Sequence, residues 1–291
     1  MLQIGCCLPA ASFVPQLETK RSNFINTPEY VKNTMNILSD SGYSFGEMTV
    51  GSIANLSDKE YCDLKKVLSG TKIKVPVFNS FIPPSIPLAG PNVSNQAINE
   101  YLEHAMTRIK GVEGETIIFG SGGARSIPSD FSYREGEKQI IDFLCLCESY
   151  ADKTGIIIAL EPLNKKETNF INTVEEAVKL VIELQLPHIK VLADSYHMFM
   201  ENESFDIIRQ FPEYIFHIHI ADKNRSYPGA IVENGVNFQS LFKVLKEISY
   251  ARGVSVECKF NDFEIDSKKT YQYINKIIKN VGIDTNYLPF T

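Results

Sequence analysis

Short apolar runs, each closed by a turn signal, alternate along the chain with stretches whose apolar residues recur every three or four positions. The clearest run is Gly155-Ile156-Ile157-Ile158-Ala159-Leu160-Glu161-Pro162. An uninterrupted apolar run bounded by Gly and Pro reads as a strand buried on both faces, as in a parallel sheet. Pro162 has no N–H to give a neighbouring strand, so the strand should end at Glu161. Runs of the same kind predict strands at residues 4–8, 45–50, 73–78, 116–119, 156–161, 189–194, 214–220 and 254–257.

Helical spacing fills the intervals. Thr27-Pro28 opens a helix with a capping hydroxyl and a proline at the first helical position. Ser57-Asp58-Lys59-Glu60 and Thr173-Val174-Glu175-Glu176 are capping boxes, each followed by amphipathic spacing. Further helices are predicted at 94–110, 133–152, 205–211, 238–250 and 268–279, the last ended by Gly282. Eight strands alternating with helices predict an α/β fold, a (β/α)₈ TIM barrel occupying residues 1–291 as one domain. An open doubly wound sheet is the alternative.

Composition narrows the function. The 291 residues carry a net charge of −6, which does not suit a nucleic-acid surface. No apolar run approaches the roughly 20 residues of a membrane span. The start goes straight into a strand pattern without a basic leader, so no signal peptide is expected and the cytoplasm is the expected compartment. The six cysteines lie in apolar runs rather than at metal-ligand spacing, which reads as reduced core thiols.

Candidate chemistry lies at the strand tips. The fifth strand ends in Glu161, the sixth in Asp194 and the eighth in Glu257, while the seventh carries His217 and His219. Side chains two apart share a face, so Ala159 should point inward with Glu161, Leu192 with Asp194, His217 with His219 and Ser255 with Glu257. Three carboxylates and an imidazole converging in a barrel mouth repel one another or stay unsatisfied unless a cation sits among them. Three oxygens and one nitrogen suit Mn²⁺, Mg²⁺ or Co²⁺ better than structural zinc. His217, one layer deeper, reads as a hydrogen-bonded core residue.

Glu161-Pro162-Leu163-Asn164 with Glu167, Asp194-Ser195-Tyr196-His197-Met198, and His219 with Arg225 and Pro228-Gly229 together resemble the D-tagatose/D-psicose 3-epimerase group of the xylose-isomerase-like TIM barrels. The resemblance is specific from the fifth strand onward. It implies metal ligation by Glu161, Asp194, His219 and Glu257, with Mn²⁺ the leading ion and Mg²⁺, Co²⁺ or Zn²⁺ the alternatives. It also implies that Glu161 and Glu257 form the acid–base pair and that His197, Arg225 and Glu167 contact substrate. The substrate class implied is a sugar or sugar phosphate, and the assembly a homo-dimer or homo-tetramer. A dehydratase on the same barrel, an endonuclease IV-like phosphodiesterase and a non-catalytic binding protein are the competing readings.

The first half of the chain gives weaker signals. The proline-rich loop 79–93 is long enough to cover the mouth. Gly120-Ser121-Gly122-Gly123-Ala124-Arg125 is either an anion-holding loop or a turn with a structural arginine. Glu47, near the tip of the second strand, either reaches the substrate or caps a loop. Phe78, Phe81, Tyr196 and Phe260 are the aromatic candidates for the mouth, each reading more readily as core.

Overall fold

The computed structural model describes residues 2–9 and 27–283. Its strands are β1 (Gln3–Cys7), β2 (Phe45–Thr49), β3 (Lys74–Asn79), β4 (Thr116–Phe119), β5 (Ile157–Leu160), β6 (Ile189–Asp194), β7 (Ile215–Ile220) and β8 (Gly253–Val256). They pair in chain order, every pair parallel, and β1 closes on β8. The sheet is therefore the closed barrel expected, not the open alternative.

The capping residues act as their chemistry dictates. Thr27 Oγ1 accepts from the Tyr30 amide, and Pro28 opens the helix Pro28–Ser41. Both capping boxes close, at Ser57 with Glu60 and at Thr173 with Glu176. Such a cap stabilises a helix by about 1 kcal/mol. Gly42, Gly155 and Gly282 end their helices in the left-handed region.

Some boundaries differ. The last helix is Phe263–Val281, longer at its start than expected, because Asp262 accepts from the Ile265 amide and caps it. The short helices Gly51–Ala54, Gly122–Arg125 and Ser195–Met200 and the turn Lys223–Arg225 sit at strand tips. They are too short to show a helical period, so the sequence pattern does not reveal them. Two cysteines depart from the core expectation: Cys62 and Cys145 are exposed, whereas Cys6, Cys7, Cys147 and Cys258 are buried. Both exposed thiols lie on amphipathic crossover helices, where apolar neighbours in sequence include the outward face. No helix among the described residues is long and apolar enough to cross a membrane.

Inside the barrel, period two sorts the side chains into layers. Phe45, Val77, Ile118, Ala159 and Leu192 form an apolar cluster of their own, apart from the larger core between strands and helices. His217 and Ser255 complete this layer, joined by a 2.9 Å hydrogen bond. Room for the rings comes from glycine. A Cβ on Gly5 would lie 2.2 Å from the Phe45 ring, and one on Gly253 2.9 Å from that of His217. The plug closes the barrel floor, so chemistry has only the upper layer to use.

Candidate metal centre and active site

Two positions further along the strands lies a second, polar layer: Cys7, Glu47, Asn79, Glu161, Asp194, His219 and Glu257. All are at most 9% exposed. The parallel register places these residues together at the C-terminal mouth, the end where barrels of this kind carry their sites.

One ligand atom from each of Glu161, Asp194, His219 and Glu257 lies within 4.8 Å of every other. His219 Nδ1 stands 3.6 Å from Glu161 Oε1 and 3.5 Å from Glu257 Oε2. Among the described residues, six buried side-chain atoms lack a hydrogen-bond partner. Three of them, Glu161 Oε1, Asp194 Oδ2 and His219 Nδ1, belong to this one cluster. Leaving such groups unpaired costs about 1–3 kcal/mol each, more for charges. The donor set, hard oxygens plus one imidazole, fits a divalent cation.

Each ligand candidate is held by the rest of its own residue. Asp194 divides its oxygens: Oδ1 caps the helix Ser195–Met200 by accepting from the Tyr196 and His197 amides, and Oδ2 is free of that duty. Glu161 follows the end of β5 and is pinned by its backbone, N–H to Phe119 O at 3.1 Å and its carbonyl to Arg125 Nη2 at 2.7 Å. Glu257 follows β8, its N–H on Ile220 O.

The charges are crowded. Burial pushes Asp194 up to about 7, and the Glu161 and Glu257 carboxylates add to the rise against the pull of Arg225. Burial also raises Glu161. Glu257 goes the other way: burial works against ionisation, but His219 and Arg225 together hold its carboxyl low. His219 is held well above its ordinary value, its burial outweighed by Glu47 and Glu257.

The three residues expected at the substrate meet in one network. Arg225 Nη2 reaches both Glu167 oxygens at 3.2 Å and His197 Nε2 at 2.8 Å, while Nη1 donates to Glu257 Oε2 at 3.2 Å. The guanidinium also lies over the Tyr196 ring, 4.7 Å from its centre. Consecutive left-handed residues, Asn224 and Arg225, aim it there. Such strain is retained where the surrounding structure enforces it. His197 Nδ1 accepts from the Asn164 amide at 2.9 Å. Burial and Arg225 push its pKa down to about 2, so the ring is neutral; with Nδ1 accepting, its one hydrogen lies on Nε2, which packs against Arg225 Nη2 rather than accepting from it.

A cavity of about 260 Å³ opens above the cluster, lined by Glu161, Glu167, Arg225, Glu257, Leu163, Gly120 to Gly123 and, from the loop after β3, Ser80, Ile82 and Pro84. Loop 79–93 thus does contribute to the mouth. His197 does not line this cavity, but its Nε2 lies 2.8 Å from Nη2 of Arg225, which does. Phe78, Phe81, Tyr196 and Phe260 are absent from the lining.

Two sequence signals are resolved by position, and a third residue joins them. Arg125 is fully buried and donates to Phe119 O and Glu161 O at 3.0 and 2.7 Å, so it is a structural arginine and not an anion holder. Glu47 neither reaches the cavity nor caps a loop. It lies fully buried beneath His219, its Oε1 3.0 Å from His219 Nε2. Asn79 had no functional reading in the sequence. Its Nδ2 donates to Glu47 Oε1 at 2.8 Å and reaches Glu257 Oε1 at 3.4 Å. The signal was available: Gly5 to Cys7, Phe45 to Glu47 and Val77 to Asn79 are the same two-residue steps that lead to Glu161 and Asp194.

A closed parallel barrel with a carboxylate–imidazole cluster at its C-terminal mouth defines a (β/α)₈ protein with a candidate metal centre. The chain belongs to the xylose isomerase-like TIM barrel family, whose model matches residues 35–277. It is 32% identical to the 3-dehydro-D-guloside 4-epimerase of Escherichia coli (strain K12) over 114 residues, 39% of this chain and 42% of that protein. It is 27% identical to the D-psicose 3-epimerase of Enterocloster bolteae over 145 residues, 48% of this chain and 47% of that protein. The chain spans about half the length of the curated relatives it matches. The fold is shared with D-psicose 3-epimerase with D-tagatose from Clostridium cellulolyticum H10, at a TM-score of 0.78 and 18% identity over 95% of this chain and 99% of that one. It is also shared with the IolI protein with a bound zinc atom, at a TM-score of 0.67 and 19% identity over 96% and 97%.

Proposed function

We propose that this protein is a divalent-metal-dependent sugar epimerase or isomerase, moving a proton on the carbon beside a carbonyl between Glu161 and Glu257. The observation that carries this reading is the set of unpartnered, buried ligand atoms on Glu161, Asp194 and His219, with Glu257 beside them. Glu161, Asp194, His219 and Glu257 would hold the ion, Mn²⁺ by preference. When bound, the cation supplies Lewis-acid polarisation of the substrate's oxygens.

The protein's own groups do the rest. Glu161 and Glu257 follow β5 and β8, with two strands between them, which suits one base for each face of a carbon. Their surroundings separate them, Glu161 toward the protonated form and Glu257 toward the ionised one. Arg225, with Glu167 and His197 behind it, orients substrate hydroxyls. The names of the relatives, sugar epimerases, support the substrate class.

The cavity favours an uncharged ketose over a sugar phosphate. Among its lining residues are three carboxylates and one cation, Arg225, already paired with Glu167 and Glu257. A phosphate there would meet like charge and no unpaired cationic side chain.

The test is deuterium uptake from D₂O beside the carbonyl of free ketoses. Exchange should vanish with chelator, return with Mn²⁺, and be lost in Glu161→Gln and Glu257→Gln. Metal-loaded protein that exchanges no ketose or ketose phosphate refutes epimerisation. A new conjugated-carbonyl absorbance would instead mark a dehydratase.

A further inference from the structure

Building on the metal site just proposed, we infer that the half of the mouth carrying no ligand aims the half that does. Glu47 on β2 fixes the His219 ring with Nδ1 toward the cation, and Asn79 on β3 ties Glu47 to Glu257.

Glu47 is surrounded by donors. Its Oε1 and Oε2 lie 3.0 and 3.2 Å from His219 Nε2, Asn79 Nδ2 donates to Oε1 at 2.8 Å, and His217 Nε2 stands 3.4 Å from Oε2. An ionised carboxylate can only accept, so His219 Nε2 must carry the hydrogen. When the ring gives up its second proton to a cation, the lone pair therefore falls on Nδ1, the ring atom that faces Glu161 and Glu257 without a hydrogen-bond partner. A ligating imidazole needs that lone pair, and a carboxylate behind the ring fixes its tautomer and orientation. The opposite tautomer would point an N–H at the cation.

Asn79 extends the brace. Its amide nitrogen offers two hydrogens and lies against Glu47 Oε1, Glu257 Oε1 and the Cys7 sulfur, the last at 3.4 Å. It therefore bridges two carboxylates that otherwise only repel. With Oε1 held, Glu257 keeps Oε2 for Arg225 and the cation site. Neither Glu47 nor Asn79 lines the cavity, so both are positioning residues.

A rival use of the same atoms exists. Cys7, Glu47 and His219 also bring ligand atoms within 4.8 Å of one another. A second ion there would need the Nε2 lone pair that the bond to Glu47 removes.

The test measures metal binding and ring chemistry. Glu47→Gln keeps the shape and one acceptor but loses the charge. It should weaken the Zn²⁺ dissociation constant about 10–100-fold, with one ion bound per wild-type chain. In ¹⁵N NMR of the Zn²⁺-loaded wild type, His219 should show a metal-bound Nδ1 and a protonated Nε2. If Glu47→Gln does not fold, Asn79→Ala, which leaves the Glu47–His219 pair in place, should weaken binding roughly severalfold. Unchanged affinity in the folded variants, ligation through Nε2, or two ions per chain with one lost alongside Glu47, overturns the inference. A wild type that binds no divalent ion overturns the metal site itself.

Discussion

Gly120 sits at the tip of β4 with its α-carbon facing Glu161. A methyl group there would lie 2.2 Å from Glu161 Oε2 and 3.3 Å from its carboxyl carbon. Ordinary contact begins near 3.4 Å, so in Gly120→Ala the carboxylate must retreat by roughly 1 Å. The main chain of Glu161 cannot follow, because Phe119 O and Arg125 Nη2 hold it on both sides. The movement falls on the side-chain torsions, at a cost of about 0.5–1.5 kcal/mol. The fold should tolerate that, with a melting temperature lower by only a few degrees. The site should not. Metal–ligand distances are good to about 0.2 Å, and a 1 Å misplacement of a catalytic group costs roughly 100-fold in rate. Chelator competition should show Mn²⁺ affinity falling about tenfold or more, and deuterium exchange should fall about 100-fold. Affinity and exchange both within about twofold of wild type would refute the reasoning, since Glu161 would then be neither close-packed nor essential.

Two other perturbations separate structure from chemistry. Arg125→Met should destabilise the fold by roughly 3 kcal/mol or more, because three backbone carbonyls, of Phe119, Glu161 and Ile171, lose a charged donor. Denaturant unfolding checks this, and a loss under about 1 kcal/mol would return Arg125 to the candidate anion binders. Metal affinity should rise with pH. A cation must displace the proton that burial and neighbouring carboxylates keep on Asp194 up to about 7, and the one that Glu47 and Glu257 keep on His219 well above its ordinary value. Titration calorimetry should therefore show proton release and affinity strengthening through pH 7 and beyond, by up to about tenfold per pH unit for each proton displaced. A dissociation constant flat from about pH 6 to 8 would contradict those assignments.

The sequence by itself determined the barrel and which residues of one half of its mouth converge as candidate ligands. Eight apolar runs, the capping boxes at Ser57 and Thr173 and the glycine stops are local signals, each readable from a few neighbours. Glu161, Asp194, His219 and Glu257 were legible for a similar reason: in a parallel barrel, the end of a strand is also a place in space, so residues at equivalent tips must meet. Glu47, Asn79 and Arg125 were not legible in the same way. Whether a carboxylate two residues past Phe45 faces substrate or the back of a histidine depends on the barrel's closure between β1 and β8, which brings β2 across from β7. Arg125 could hold an anion or a backbone, and only the packing of the β4 loop against β5 turned its guanidinium onto the carbonyls of Phe119 and Glu161. Local pattern fixes which residues reach the mouth. Which partner each one meets there is set by contacts between strands far apart in sequence, and those exist only once the barrel has closed.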